Sequence, residues 1–223
     1  MKKTLIALAC LSSCALAGTY TYTADSFSST GAGNNASSLT LTETLTCDGT
    51  VNWTISGTFT IGSTASNEWG VALLASTTDP FADTYSGGFQ FYLANGTSQS
   101  ATNKDKFQVK LNNTNKNTYA LTQSDITSGD TVSYTLAYAA DTSTLTVTLS
   151  FTDAETSEVT TQTASTTMGS DASISALSTS AAGLEGWTLG DITVTVTSAV
   201  PEPATATLGL LALGALALRR RRA

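Results

Sequence analysis

Apolar and polar side chains alternate along most of the chain. Residues 39–45 (LTLTETL) follow a strict period of two, and so does most of 51–61 (VNWTISGTFTI). Similar runs recur at 89–93, 106–111, 131–138, 144–151 and 191–197. In each, one face carries Leu, Val, Ile or an aromatic and the other carries mainly Thr or Ser, the pattern of a strand packed on one side and wet on the other. No stretch between residues 18 and 199 has a 3.6-residue period. Turn residues separate the runs. Cys47-Asp48-Gly49-Thr50 reads as an Asp-Gly hairpin, and Asn95-Gly96, Ser128-Gly129-Asp130 and Ala140-Asp141-Thr142-Ser143 read as turns of the same kind. Short strands bounded by turns predict an antiparallel β-sandwich. Two polar stretches, 26–38 and 153–180, are expected to be long loops or irregular strand pairs.

The ends break this pattern. Residues 1–17 begin with Lys2 and Lys3, continue through a short apolar run and finish on Ala15-Leu16-Ala17. The small side chains Ala15 and Ala17 flank one residue as signal peptidase requires, so residues 1–17 read as a signal peptide forming an apolar helix, cut after Ala17. A competing reading takes Leu11-Ser12-Ser13-Cys14 as a lipobox with acylation of Cys14. At the other end Pro201-Glu202-Pro203 precedes fifteen uncharged residues, 204–218, and then Arg219, Arg220, Arg221 and Arg222. The prolines resist helix and sheet, which makes them an exposed hinge. As a helix, 204–218 spans about 22 Å, short of a bilayer core of about 30 Å, with flanking residues and snorkelling arginines covering the difference. The arginines would stay cytoplasmic and leave residues 18–199 outside.

The order of motif, apolar helix and basic cluster in residues 200–223 resembles the PEP-CTERM sorting signal. The resemblance implies recognition and cleavage of the tail by a membrane-embedded exosortase, after transient anchoring in the inner membrane. It also implies export to the surface or extracellular matrix of a Gram-negative-type envelope. Residues 18–199 resemble, more loosely, the concanavalin A-like or laminin-G-like jelly roll. Residues 51–61 with Trp53 look like an early core strand, 130–149 like the central hairpin and 186–194 like the returning last strand. The expected architecture is therefore all-β: an antiparallel, jelly-roll-like sandwich flanked by a signal helix and a transmembrane helix.

Composition narrows the function. The 223-residue chain carries a net charge of −7, but its ends hold six of the ten basic residues. Residues 18–199 keep four lysines against sixteen acids, about −12, with no arginine and no histidine. Such a body repels nucleic acid and anionic headgroups. Cys47 is its one cysteine, so an internal disulfide and a Cys/His zinc site are excluded. It is expected to be a half-buried strand residue. Without histidine the usual general base and the Ser-His and Cys-His dyads are lost. No carboxylate string of the sandwich glycosidases is present, and Glu155 and Glu158 read as solvated loop charge. Glu68 beside Trp69 and Glu185 near Trp187 are not brought together by anything in the sequence. The chain is read as a non-enzyme.

Binding is the better candidate. Residues 67–92 concentrate aromatics among Asn, Asp and Gln, and Trp69 and Tyr85 are the candidate platforms for stacking on a sugar. The plain alternative makes Phe89 and Phe91 core and Trp69 an edge cover. No cofactor is expected; Asp79 and Asp83 are weak calcium candidates. Lys106 and Lys110 share one strand face, either as a polyanion patch or, the preferred reading, as protection of an edge strand. Two functions stay open: a structural or adhesive surface protein, and a lectin-like carbohydrate-binding module. The expected partners are signal peptidase, an exosortase-type enzyme, the membrane through residues 204–218, and polysaccharide.

Overall fold

A computed structural model describes residues 17–26, 28–29, 36–62, 71–77, 88–94, 106–112, 118–124, 126–180 and 188–198. Among the described residues the fold is all-β, with one 3-10 turn at Ala24–Ser26. In chain order the strands are β1 (Gly18–Tyr22), β2 (Ser28–Ser29), β3 (Ala36–Thr46), β4 (Val51–Thr60), β5 (Val71–Ala75), β6 (Gly88–Ala94), β7 (Lys106–Asn112) and β8 (Thr118–Gln123). There follow β9 (Thr131–Ala139), β10 (Thr144–Thr152), β11 (Val159–Thr167), β12 (Ser173–Ser180), β13 (Thr188–Leu189) and β14 (Ile192–Ser198). They form two antiparallel sheets. The terminal sheet runs β1-β14-β4-β9-β10-β11, with β13 also paired to β4, and the opposing sheet runs β2-β3-β12-β5-β6-β7-β8.

The alternation in the sequence becomes the sandwich interior. Along β4 the inward positions are Val51, Trp53, Ile55, Gly57 and Phe59, and along β9 they are Val132, Tyr134, Leu136 and Tyr138. Aromatics join the two layers: Phe59 and Tyr134 of the terminal sheet pack on Phe91 and Phe107 of the other, with centroids 4.8–6.2 Å apart. Rings of this size dominate the area withdrawn from water and add an orientation-dependent attraction. At one side Tyr20 of β1 donates to Glu43 of β3 at 2.6 Å, and at the other Gln162 of β11 donates to Gln123 of β8 at 2.6 Å. Both bonds run from one sheet to the other and tie the layers at their edges.

Two turns differ from expectation. Asp48-Gly49 does not close a hairpin, because β3 belongs to one sheet and β4 to the other. It is a corner, held by Asp48 accepting the Thr50 N–H and hydroxyl, with Gly49 at φ +82°. Gly129-Asp130 is likewise a corner, from β8 to β9. The Asp130 side chain accepts the Thr127 N–H at 2.7 Å and the Ala154 N–H at 2.9 Å, so a buried carboxylate fixes that crossing. Only 140–143, among these described turns, joins paired strands, β9 and β10. The polar stretch 153–180 is also more regular than expected, since it holds β11 and β12. The proposed signal helix and the helix over 204–218 lie outside the described residues. Among the described residues no helix is long and apolar enough to cross a membrane.

Candidate functional site

The two outward faces are unlike. On the opposing sheet, polar residues that alternation turns away from the core, Gln90 and Gln108, are themselves only 3% and 4% exposed. The terminal sheet keeps an open face tiled with hydroxyls. Strand register places Thr19, Thr195, Thr54, Ala137, Thr146 and Ser165 in one row across six strands. The next row is Thr21, Thr193, Ser56, Thr135, Thr148 and Thr163. No outward position on the described strands of this sheet carries a charge. Neighbouring hydroxyls meet across strands, Thr146 with Ser165 at 2.9 Å and Ser150 with Thr161 at 3.2 Å.

A groove of about 510 Å³ interrupts the tiling at one end of the strands. Its lining includes Ala137 and Ala139 between Asn52 and Thr54 on one side and Thr146 on the other, with Asp141 beside them. The cause is local. Three of the five outward positions of β9 hold Thr or Ser, and the last two hold only methyl groups. The result is a short apolar floor with hydroxyl, amide and carboxylate groups around it.

The platform beneath is anchored. Trp53 and Tyr138 stack with centroids 5.5 Å apart on the inner side of the same two strands. The indole N–H donates to the Thr46 carbonyl at 3.0 Å and the Tyr138 hydroxyl to the Cys47 carbonyl at 2.8 Å, which pins the Asp48 corner. The Ala140 N–H donates to Asn52 Oδ1 at 2.8 Å, fixing the turn that presents Asp141. Asp48 is held below the ordinary carboxylate pKa, first by the Thr50 hydroxyl and then by its N–H. Cys47 is fully buried rather than half-buried; burial, helped by the Asp48 charge, pushes its thiol up to about 11. It is a core residue.

Comparison with known proteins addresses the two parts of the chain separately. Residues 199–222 match the PEP-CTERM protein-sorting motif. The chain carries a PEP-CTERM sorting signal. That signal marks it for export and sorting to the cell envelope or surface. Among curated proteins none matches the sequence. The fold is that of the legume lectins, a concanavalin A-like sandwich. Peanut lectin superposes with a TM-score of 0.53 at 12% identity, covering 82% of this chain and 100% of its own. The lectin of Bauhinia forficata in complex with GalNAc gives 0.54 at 11% identity, covering 83% and 100%. Lectin UEA-II complexed with galactose gives 0.50 at 14%, covering 75% and 83%. At these identities the likeness is one of fold.

The residues of the PEP-CTERM signal itself, Pro201, Glu202, Pro203 and Arg219 to Arg222, lie outside the described residues, as do Ala15, Trp69, Tyr85, Asp79 and Asp83; Ala17 is exposed just before β1. Phe89 and Phe91 are core, each fully buried. The edge-strand reading of the lysines is corrected. Strand β7 lies inside its sheet, paired with β6 and β8, and Lys110 Nζ sits 4.8 Å above the centre of the Tyr92 ring. Among the described residues no three Cys, Asp or Glu side chains gather closely enough to hold a metal ion. Asn52, Ala137, Ala139 and Asp141 are missed by sequence reasoning, although one signal was there: two alanines end an otherwise hydroxyl-bearing alternation in β9.

Proposed function

We propose that the protein is a non-catalytic module of the cell surface or extracellular matrix, with a structural or adhesive role. The match of residues 199–222 to the sorting motif carries this reading. The transport scheme is that signal peptidase cuts after Ala17, residues 204–218 anchor the chain briefly in the inner membrane, and an exosortase-type enzyme removes the tail at Pro201-Glu202-Pro203. What supports adhesion is the open hydroxyl face of the terminal sheet, a wide neutral surface on an acidic body. The absence of histidine from the whole sequence argues against acid–base catalysis near neutral pH. The test is mass spectrometry of the surface-displayed protein: the expected form starts at Gly18 and ends near Pro203. A surface form that keeps Arg222 refutes the processing scheme.

A second reading, a lectin-like carbohydrate-binding module using Trp69 and Tyr85, is favoured by the sandwich's likeness to lectins solved with galactose and GalNAc. A glycan array with the full chain and its Trp69→Ala variant tests it, and binding unaffected by the substitution removes Trp69 from the site.

A further inference from the structure

We infer that the groove over Ala137 and Ala139 seats a strand of neutral polysaccharide on the outer face of the terminal sheet. This rests on the adhesive reading above and gives it a location, remote in sequence from Trp69 and Tyr85. The volume, about 510 Å³, lies within the ~300–1,000 Å³ of ordinary ligand sites. The lining suits a sugar chain. Methyl groups of Ala137 and Ala139 meet the apolar C–H face of a ring. Thr54 and Thr146 both donate and accept, Asn52 brings an amide, and the Asp141 carboxylate accepts from hydroxyls.

Charge decides against other ligands. Among the described residues the lining holds no cation and one carboxylate, in a body with four lysines, no arginine and about −12 net charge. A polyuronate, a sulfated glycan or a nucleic acid would meet repulsion with nothing to compensate it. Shape decides against a flat crystalline surface. A sheet of six strands with the usual rotation of about 20–25° between neighbours turns through roughly 100–125° over its five steps, and no planar lattice follows all the hydroxyls of such a face. A flexible chain settling locally, where two alanines lower the surface, needs no such match. The groove is also rigid in advance of binding: Asn52 fixes the Asp141 turn, and Trp53 and Tyr138 pack beneath the floor. A preformed site loses little freedom when it is filled.

The test is affinity electrophoresis of the purified full chain through gels containing soluble β-glucan, galactomannan or xyloglucan, with alginate as the anionic control. Retardation by at least one neutral polymer is expected, together with none by alginate. Ala137→Tyr fills the groove and Asp141→Ala removes its acceptor; each should weaken retardation at least tenfold with the thermal midpoint preserved. Thr163→Tyr, on the same face outside the groove, and Trp69→Ala should leave it unchanged. No retardation by any neutral polymer, binding of alginate instead, or unaltered binding in both groove variants overturns the inference. Loss in Trp69→Ala with retention in Ala137→Tyr also overturns it and moves binding to the Trp69 site of the lectin-like reading. Surface display, measured separately by mass spectrometry, stands or falls without reference to these outcomes.

Discussion

Replacing Tyr134 with Phe removes one oxygen from the centre of the sandwich and leaves the ring in place. The Tyr134 side chain is 2% exposed, and its buried hydroxyl has no hydrogen-bond partner among the described residues. The ring stacks on Phe59 at 4.9 Å and meets Phe91 at 4.8 Å, contacts that Phe retains. Burial alone raises the pKa of the phenol, so the group is neutral throughout the working range and only its desolvation counts. An unpaired buried hydroxyl costs about 1–3 kcal/mol. Tyr134→Phe should therefore stabilise the protein by about 1 kcal/mol, taking the low end for local relaxation, which is a rise of about 2–4 °C in the midpoint for a domain of this size. Gly57 provides a linked check. It lies directly across from Tyr134 in the β4–β9 register, and a Cβ there would strike the phenol oxygen and come within 2.8 Å of the ring carbon Cζ and 3.1 Å of the Asp191 carbonyl. Gly57→Ala should cost about 1–3 kcal/mol through overpacking, and Tyr134→Phe should restore only part of that, because it removes the contact with the oxygen and leaves those with the ring carbon Cζ and the Asp191 carbonyl. Urea unfolding of the four proteins, with unchanged m-values, gives the coupling directly. A Tyr134→Phe variant less stable than the parent by 1 kcal/mol or more, or strictly additive substitutions, would refute the reasoning.

Cys47, with its thiol pushed up to about 11 and its side chain buried, should resist iodoacetamide at pH 8 until denaturant unfolds the chain; rapid labelling of the native protein contradicts the packing. Asp130→Ala strips the acceptor from the Thr127 N–H and hydroxyl and from the Ala154 N–H, and should lower stability by about 3 kcal/mol or more, read as a lower urea midpoint; a loss below 1 kcal/mol means the corner does not depend on it. Asp48 and Asp153 are both held below their ordinary pKa by local donors, the Thr50 hydroxyl and the Thr156 N–H first. Their contribution is complete above the ordinary carboxylate pKa of about 4 and drains as pH falls through the lowered values. The acid limb of the thermal midpoint should flatten in the Asp48→Asn and Asp153→Asn variants, and an unaltered limb counts against both turns.

Inward and outward positions were legible in the sequence; the assignment of strands to sheets was not. A period of two says that Val51, Trp53 and Ile55 share a face, and they do. It cannot say whether β4 pairs with β3, because a corner and a hairpin use the same Asp-Gly chemistry. What makes the 48–49 turn a corner is long-range: the Trp53 N–H and Tyr138 hydroxyl hold the carbonyls of Thr46 and Cys47. The β9–β10 hairpin was readable because its partners are adjacent and its turn is short. Strand β11 was not, because an edge strand needs little apolar content; Val159 is 58% exposed and Ala164 packs against the core only in part. The lysines of β7 misled for a related reason, since charge suits an edge but β8 covers that edge. The groove needed register above all. Ala137 stands beside Thr54 and Thr146 only once β4, β9 and β10 are paired.

The placement of acid around the hydroxyl face makes a further consequence unavoidable. The strands of the terminal sheet carry no outward charge, while Asp48 and Asp141 lie in turns at one end and Asp153, Glu155, Glu158 and Asp191 at the other. The face is thus a neutral field with carboxylates at its margins. At physiological salt their fields reach only about 8 Å, so a neutral chain in the groove interacts through dipoles and contact alone, apart from Asp141. Its retention should change less than twofold between 20 mM and 500 mM sodium chloride. A polyanion would behave oppositely, excluded at low salt and admitted as screening rises. Neutral polymers that bind more weakly with every addition of salt would contradict this, because the charged group that lines the groove is Asp141; the carboxylate would then carry more of the binding than the neutral lining, and Asp141→Ala should abolish the salt slope.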